Sequence, residues 1–404
     1  FVTTKGFGDI LKIGYQDRPS LFDLNIRKRD ELTSLIIEID ERLNARGEVL
    51  RPPDPREVRR QLQEAKTAGI EAVAICLLHA HVNGTHEEQI AQVAGPMGFS
   101  HVSVSSHLMR LERIVPRADT TVVDAYLSGV IRCYVASLRR SMPQARIRLM
   151  TSSGGLIDAA HACGKDTILS GPAGGAVGCA HVTYAAGFDR SIGFDMGGTS
   201  TDVCRIEPPP DSFEYQQETV KAGVRIMAPM IAVETVAAGG GSICAFDGQK
   251  LTVGPHSAGA DPGPRCYGRG GPLTITDMNL VLGRVAAEHF PFRLDCAVVD
   301  QRLASLCDEV NAATRSSLTP VALADGFVQI ANANMAAAIK RISVAKGYDP
   351  SQYVLTTFGG AGGQHTCALA RTLGISRILC SPFAGVLSAL GIGVAQVKRI
   401  GQRS

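Results

Sequence analysis

The residues best suited to chemistry lie in one short string, FDMGGTSTDV, at residues 194–203. Its two adjacent glycines would form the tip of a hairpin and leave backbone N–H groups facing outward with no Cβ in the way. A concave set of amides suits phosphate oxygens. The three hydroxyl residues after the glycines add further donors. The string therefore predicts a phosphate-binding hairpin in preference to an ordinary surface turn.

Two carboxylates, Asp195 and Asp202, flank this tip. Carboxylates repel phosphate oxygens unless a cation lies between them, and Mg²⁺ is commonly held by one or two carboxylates together with water and nucleotide phosphates. We therefore predict a Mg²⁺–nucleotide complex at this hairpin rather than a bare phosphate. We assign both aspartates as metal ligands and as catalytic residues.

A second glycine-rich string, FGGAGGQH at residues 358–365, follows an apolar strand and precedes a helix. Glycines there allow a flat ligand or a phosphate to approach the helix N-terminus, although close packing of strand on helix would need the same residues. The adjacent Gly359 and Gly360 do not match a dinucleotide fingerprint, which disfavours a Rossmann domain. His365 has two interpretations, a ligand contact or a hydrogen-bonded residue at the helix start.

Three more glycine-rich segments, at residues 170–175, 237–242 and 257–264, could line the same cleft. Each could equally be an ordinary loop, but their presence beside the aspartate hairpin favours one shared ligand site. The residues that we predict to contact the cofactor are Gly197, Gly198, Thr199, Ser200, Thr201, Gly239, Gly240, Gly241, Ser242, Gly359, Gly360, Ala361, Gly362, Gly363 and His365.

Other common kinds of site find no support in the sequence. No set of His, Cys and Asp has zinc spacing, and no Gly-x-Ser-x-Gly nucleophile elbow is present. We interpret His79 and His81 as structural or surface residues. The 11 cysteines are scattered without a Cys-x-x-Cys pair, as expected of reduced thiols in a cytoplasmic protein.

The elements that must position these strings alternate between helices and buried strands, which is typical of α/β proteins with a parallel or mixed sheet. The aspartate string itself is predicted to turn between strands 191–194 and 201–206. The other predicted strands are 70–78, 102–105, 146–150, 167–169 and 353–357. The first predicted helix is 55–68, with Asp54 as its N-cap, and a second helix opens at a capping box at Thr85. The other predicted helices are 119–141, about 176 to 186, 320–347, one that ends near 373, and 383–397.

Length and composition exclude several classes of protein. A chain of 404 residues favours two to three domains, at about 150 residues each. With 45% hydrophobic and 20% charged residues it is typical of folded globular proteins. A net charge of +3 disfavours nucleic acid or an anionic membrane as the main partner. The first residue is Phe rather than Met, so we expect a fragment that starts inside a domain.

Taken together, these strings resemble the hydantoinase A/5-oxoprolinase family, which includes the ATP subunits of acetone and acetophenone carboxylases. The GGQH ending of the second loop is most similar to the A-type half of ATP-hydrolysing 5-oxoprolinases. The matching strings lie at residues 2–7, 114–117, 170–175, 194–203, 235–242, 254–271, 279–284, 358–365 and 385–391.

The resemblance implies the two-lobed ATPase fold of actin, hexokinase and the heat-shock chaperones, with mixed sheets. The aspartate hairpin would be the second phosphate loop and the 359–365 segment the adenosine-side loop. The implied reaction opens 5-oxo-L-proline to L-glutamate with ATP and Mg²⁺, in an oligomer with a B-type half or subunit. The resemblance also implies three parts of the chain. Residues 1–117 would be the remnant of an amino-terminal domain, residues 118–397 the domain with the ATP-binding lobe, and residues 398–404 a tail.

This sequence departs from the family pattern in three respects. The first phosphate loop and the B-type half are absent from it, so we expect the chain alone to bind nucleotide weakly, to be inactive and to be less stable before Arg117. His107 and His256 stand where relatives carry Glu. Two alternatives stay open: an ATP subunit of an N-methylhydantoinase or ketone carboxylase, and a non-catalytic nucleotide-binding scaffold for a B-type partner.

Overall fold

The structure, a computed structural model, describes residues 1–15, 22–26 and 30–398. The strands are β1 (Val2–Thr4), β2 (Ile37–Ile39), β3 (Arg42–Leu43), β4 (Val49–Arg51), β5 (Ala72–Ile75), β6 (His101–Val104), β7 (Arg148–Met150), β8 (Leu156–Asp158), β9 (Ser191–Met196), β10 (Thr201–Ile206), β11 (Tyr215–Lys221), β12 (Val224–Ile231), β13 (Val233–Val236), β14 (Ser242–Phe246), β15 (Leu251–Ser257), β16 (Val354–Phe358) and β17 (Ile378–Cys380). The helices are α1 (Ile10–Ile13), α2 (Pro55–Thr67), α3 (Thr85–Ala94), α4 (Ser105–Leu108), α5 (Ile114–Ser141), α6 (Ser170–Ala185), α7 (Ile275–Val281), α8 (Cys296–Thr314), α9 (Pro320–Ile342), α10 (Thr366–Leu373) and α11 (Leu387–Val394).

The chain folds into two compact units. The first unit contains Phe1–Ser170, Tyr215–Met230 and the described residues from Gln396 onward, and the second contains Gly171–Glu214 and Ile231–Ala395. The predicted boundary at residue 117 lies near the start of α5, inside the first unit. Of the predicted tail, only Lys398 is among the described residues.

The first unit is built on a parallel sheet of order β2-β1-β5-β6. Side chains alternate along each strand, so Val2 and Ile75 pack with the core of α2 and α3 while Phe1 and Cys76 pack with α1 and α5 on the opposite face. Helices on both faces are expected for a parallel sheet, because its strands are buried on both sides.

The starts of α2 and α3 show where sequence rules held and where they failed. Asp54 caps α2 as predicted, since its carboxylate accepts the Arg56 N–H at 2.9 Å. The capping box predicted at Thr85 is wrong, because Thr85 is already inside α3 and the Asn83 carboxamide accepts its N–H at 3.0 Å. Glu88, three residues after Thr85, pairs with His107 at 2.9 Å instead of reaching back to Thr85.

Helix α5 starts five residues earlier than predicted and spans 28 residues. It is the one described helix that is long and apolar enough to cross a membrane by length and composition alone. Its N-terminal half is buried against β5 and β6 and carries the buried Arg117, Asp119 and Asp124. We therefore interpret α5 as a core helix of the first unit.

The second unit is built on a mixed sheet of order β13-β10-β9-β16-β17. Strands β13, β10 and β9 pair antiparallel, whereas β9, β16 and β17 pair parallel. Ile192, Phe194 and Met196 of β9 face a core that includes residues of α7, α8, α9 and α10. The predicted mixed α/β class is confirmed, and the aspartate hairpin lies between two central strands of this sheet.

Helices α6 and α11 cross at unusually short range, and this crossing explains the glycine at position 174. A Cβ at Gly174 would lie 2.9 Å from the Ser388 carbonyl oxygen, and one at Gly391 would overlap the Gly174 carbonyl oxygen. The string predicted as a loop of the ligand cleft is therefore helical and serves helix packing. The predicted strand at 167–169 is likewise wrong, because these residues form the turn before α6.

Candidate functional site

Strands β9 and β10 place the two aspartates side by side. In the antiparallel register Asp195 is the direct partner of Asp202, and Met196 is the partner of Thr201. Directly opposed residues on antiparallel strands project to the same face with Cβ atoms about 5 Å apart. Two carboxylates are thus held together immediately below the hairpin tip.

The pair is electrostatically strained in a way that a cation would relieve. Burial, and then the neighbouring charge of Asp202, raise the pKa of Asp195 to about 6. The Thr235 hydroxyl donates a hydrogen bond of 2.7 Å to Asp202 Oδ1. Thr235 lies on β13 and was not among the predicted site residues, although it belongs to a string quoted for the family resemblance.

The hairpin tip offers backbone donors to solvent. Its closing bond runs from the Gly197 N–H to the Ser200 carbonyl at 3.0 Å. Gly198 and Thr199 are exposed, and in the described chain their amides donate to no protein acceptor. A Cβ at Gly198 would meet nothing within 4 Å, so a ligand can reach these donors.

The loop at Gly239–Ser242 supports the tip rather than facing a ligand. Gly240 N–H donates to the Gly197 carbonyl at 3.0 Å and Gly241 N–H to the Gly198 carbonyl at 2.6 Å. Gly239 N–H donates to the buried Ser242 hydroxyl at 2.8 Å. The prediction that these four residues contact the cofactor needs correction, because their donors and hydroxyl are already engaged and buried.

The second glycine loop touches the hairpin directly. Gly359 has φ of +80°, and a Cβ there would overlap Asp195 Oδ1 and the Met196 carbonyl oxygen. Ala361 N–H donates to that same Met196 carbonyl at 3.0 Å. The two strings are therefore adjacent as predicted, in direct contact rather than facing each other across a groove.

The second loop also has open donors. Gly360 and Gly363 are exposed, their amides have no acceptor among the described residues, and a Cβ at either would meet nothing within 4 Å. Gly362 differs, because a Cβ there would lie 2.7 Å from Thr357 Oγ1. Its glycine is explained by packing against β16, which corrects its assignment as a ligand contact.

Two other predicted contacts are buried in the framework. The Thr201 hydroxyl is fully buried and donates to the Ala238 carbonyl at 2.5 Å. His365 is fully buried, with Nδ1 2.7 Å from Asn332 Oδ1 and Nε2 2.9 Å from Asn279 Nδ2. Burial, and then the charge of Arg284, lower the pKa of His365 to about 4, so the ring is neutral near pH 7. Neither residue can touch a ligand directly.

Of the remaining sequence expectations, one segment adjoins this arrangement and two histidines lie away from it. Ala258 N–H donates to the Gly241 carbonyl at 2.9 Å, so the 257–264 segment does adjoin the supporting loop. His107 is an exposed partner of Glu88 at 2.9 Å in the first unit. His256 is exposed on β15.

The described residues contain no group of three or more His, Cys, Asp or Glu that could hold a metal ion alone. Asp195 and Asp202 supply two carboxylates, which is the number usual for Mg²⁺ when substrate phosphates and water complete its octahedral shell. The donor set therefore fits a metal that arrives with a polyphosphate.

Comparison with known proteins identifies close sequence relatives. A family model described as Hydantoinase/oxoprolinase matches residues 117–400, and one described as Hydantoinase/oxoprolinase N-terminal region matches residues 1–98. The chain is 41% identical to 5-oxoprolinase of Saccharomyces cerevisiae and 39% identical to 5-oxoprolinase 1 of Arabidopsis thaliana. Each match covers 98% of this chain and 34% of the relative, so the chain spans about a third of their length.

Solved structures share the fold. The ATP-dependent caprolactamase from Pseudomonas jessenii matches with a TM-score of 0.79 and 30% identity, covering 96% of this chain and 58% of that one. A nucleotide-free acetone carboxylase matches with a TM-score of 0.80 and 23% identity, covering 98% and 58%. The second likeness is one of fold alone.

Proposed function

Because the chain belongs to the hydantoinase/oxoprolinase family, we propose that it is the ATP-binding part of an enzyme that opens a cyclic amide. The proposed reaction converts 5-oxo-L-proline, ATP and water into L-glutamate, ADP and phosphate. The 5-oxoprolinases among the relatives, at about 40% identity over nearly the whole chain, support this substrate.

One observation carries the proposal: open backbone donors surround a carboxylate pair. The amides of Gly198 and Thr199 lie at the hairpin tip, and those of Gly360 and Gly363 lie on the loop that contacts Asp195 through Gly359. Donors of this kind suit phosphate oxygens. We propose that they bind ATP in an actin-like ATPase fold.

Asp195 and Asp202 would hold Mg²⁺, in part through water, and the metal would offset the burial and the repulsion that together raise the pKa of Asp195. When bound, Mg-ATP supplies a phosphoryl group that makes the amide carbon of the substrate electrophilic to water. The residues of this chain contribute by position and charge: the tip amides fix the phosphates, and the Gly239–Ser242 loop holds the tip in place.

The test is glutamate release from 5-oxo-L-proline by this chain together with a hydantoinase B-type partner, with and without Mg-ATP. We expect ATP-dependent glutamate formation that Asp195→Asn lowers at least a hundredfold. Asp300→Asn, the same change at an exposed position on α8, should retain full activity. Equal activity of Asp195→Asn and the wild type would contradict a catalytic role and favour a non-catalytic nucleotide-binding scaffold.

A second lactam is favoured by one comparison, the likeness to caprolactamase in sequence and structure. ATP hydrolysis by the same mixture should therefore be compared with 5-oxo-L-proline, caprolactam, a hydantoin and acetone. If caprolactam stimulates ATP hydrolysis most strongly, caprolactam replaces 5-oxo-L-proline as the proposed substrate and the reaction class stays the same. Stimulation of ATP hydrolysis by acetone alone would refute lactam opening.

A further inference from the structure

The first unit contains a buried arginine without a counterion. Arg117 lies in the first turn of α5 and has no solvent exposure. Its Nη2 donates to the Leu77 carbonyl at 2.7 Å, but Nε and Nη1 are buried and have no hydrogen-bond partner. No carboxylate in the described chain forms an ion pair with it. A buried cation without a partner costs several kcal/mol, so such a group calls for an anion.

The guanidinium keeps the donors that a two-pronged acceptor would need. A guanidinium has five N–H donors, and four of them form two edges of two parallel donors each. Nη2 contributes one of its two N–H groups to the edge with Nε and the other to the edge with Nη1. The Leu77 carbonyl occupies one N–H of Nη2. Whichever it takes, one complete edge stays free, and a carboxylate matches that edge with its two oxygens.

The surroundings contain other unpaired polar atoms. Thr3 on β1 and Cys76, just after β5, both lie on the α5 side of the parallel sheet, and the Thr3 hydroxyl is buried without a partner. His81 is close enough for the charge of Arg117 to lower its pKa after burial does so, and its Nδ1 is also buried and unpaired. Cys76, His81 and the Leu77 carbonyl that holds Arg117 all follow the carboxyl end of β5, and parallel sheets commonly bind ligands at that end of their strands.

The buried acids nearby are already committed. Glu87 accepts hydrogen bonds from Leu77 N–H at 2.8 Å, from the Ser105 hydroxyl at 2.6 Å and from Ser106 N–H at 2.8 Å. Glu41 pairs with His86 at 2.6 Å on the other side of the sheet. Neither carboxylate is available to rotate towards Arg117.

We propose that Arg117 is the anchor of a carboxylate-binding site in the first unit, and that its ligand is the carboxylate of a small cyclic amide acid such as 5-oxo-L-proline. A monoanion fits one buried guanidinium among apolar neighbours such as Leu77, whereas a phosphate dianion would need a second cation. The identity of the ligand rests on the proposed function, whereas the carboxylate site does not.

The test is a ligand-observed NMR titration of the full chain, which measures weak binding without requiring turnover. The probes are 5-oxo-L-proline, its neutral carboxamide and 2-pyrrolidinone, which has the same lactam without the carboxylate. We expect 5-oxo-L-proline to bind at least tenfold more tightly than either neutral lactam. Arg117→Lys, which keeps the charge and loses the fork, should remove that preference, whereas Arg139→Lys on the exposed end of α5 should keep it.

Equal binding of acid and neutral lactams by the wild type would overturn the proposal, and this comparison holds even if Arg117→Lys does not fold. A folded Arg117→Lys variant that binds 5-oxo-L-proline as tightly as the wild type would also overturn the proposal. If acetate binds in an Arg117-dependent way while 5-oxo-L-proline does not, the carboxylate site stands and the 5-oxoproline assignment of the proposed function fails. Mg-ATP binding should be the same in wild type and Arg117→Lys, which separates this site from the aspartate hairpin.

Discussion

Asp195 is the residue at which stability and the proposed function oppose each other. Its carboxyl is half-buried beside Asp202, and its pKa is raised to about 6. A protein that only needed to fold would gain by replacing it with a neutral residue. Retaining two adjacent carboxylates is understandable if a cation neutralises them during function.

The Asp195 carboxyl gives a pH-dependent prediction. Because its pKa is higher in the folded than in the unfolded chain, the folded state binds this proton more tightly, so the free energy of unfolding falls as the pH rises from about 4 to about 6 and stays low above. Asp195→Asn should therefore be more stable than the wild type at pH 8, by about 2 kcal/mol after allowing for partial exposure, and lose this advantage near pH 4.

Urea denaturation of the wild type, Asp195→Asn and Asp300→Asn at pH 4.5, 6 and 8 measures this difference. The exposed Asp300→Asn should follow the wild type at every pH. No gain in stability for Asp195→Asn at pH 8 would mean that neither burial nor the charge of Asp202 destabilises the ionised Asp195 carboxyl in the folded protein.

Gly359 gives a second prediction at this scale. Gly359→Ala should destabilise the second unit by about 3 kcal/mol, because its φ is +80° and the added Cβ would overlap Asp195 and Met196. Gly360→Ala is the matched control, with nothing within 4 Å, and should change stability by less than about 1 kcal/mol. Thermal unfolding followed by circular dichroism measures the stability of both variants. Equal melting temperatures for the two would refute the close contact of Gly359 with Asp195 and Met196.

At the scale of elements, helix α11 depends on glycine at one position and tolerates a side chain at another. A Cβ at Gly391 would overlap the Gly174 carbonyl oxygen of α6, whereas one at Gly393 would meet nothing within 4 Å. Gly391→Ala should cost about 2–3 kcal/mol in the free energy of unfolding, and Gly393→Ala should add up to about 1 kcal/mol through helix propensity. Urea denaturation of both variants tests this, and a neutral Gly391→Ala would show that the helices do not cross so closely.

The sequence predicted elements well where one local signal was sufficient. Asp54 before Pro55 marked the start of α2, and the aspartate string marked the hairpin of β9 and β10. It failed where tertiary contacts decided the outcome. Glu88 has the spacing of a capping residue, yet its carboxylate pairs with His107. Gly174 lies in a string with the composition of a loop, yet it serves helix packing.

The candidate site shows the same division. Residue types predicted that the two glycine strings would meet, but the pattern cannot show which amides are already hydrogen-bonded. Gly198 and Gly360 are open, whereas Gly240 and Gly241 are committed to the hairpin. Histidine commonly contacts ligands, but His365 is fully buried as a core residue is. Only the fold distinguishes these cases, because each partner comes from a distant part of the chain.

At the scale of the whole molecule, the two compact units interleave along the chain. Two of the crossings fall within regular elements, after Ser170 in α6 and after Met230 in β12, and a third falls immediately before β11. A boundary inside a helix or strand lacks the composition typical of a linker. The sequence could therefore indicate which domains are present, but not how their segments alternate along the chain. The proposed nucleotide site lies wholly in the second unit and the proposed carboxylate site wholly in the first.

The central claim, that the aspartate hairpin and the adjoining glycine loop bind Mg-ATP, is tested most directly by hydrogen–deuterium exchange of their backbone amides. The amides of Gly198, Thr199, Gly360 and Gly363 have no protein acceptor in the described chain, so they should exchange quickly in the free protein. Millimolar Mg-ATP should slow exchange in peptides covering 196–201 and 359–364 severalfold in the wild type and Asp300→Asn, and leave it unchanged in Asp195→Asn. Unchanged exchange in both peptides of the wild type at saturating Mg-ATP, or equal protection in Asp195→Asn, would contradict the account.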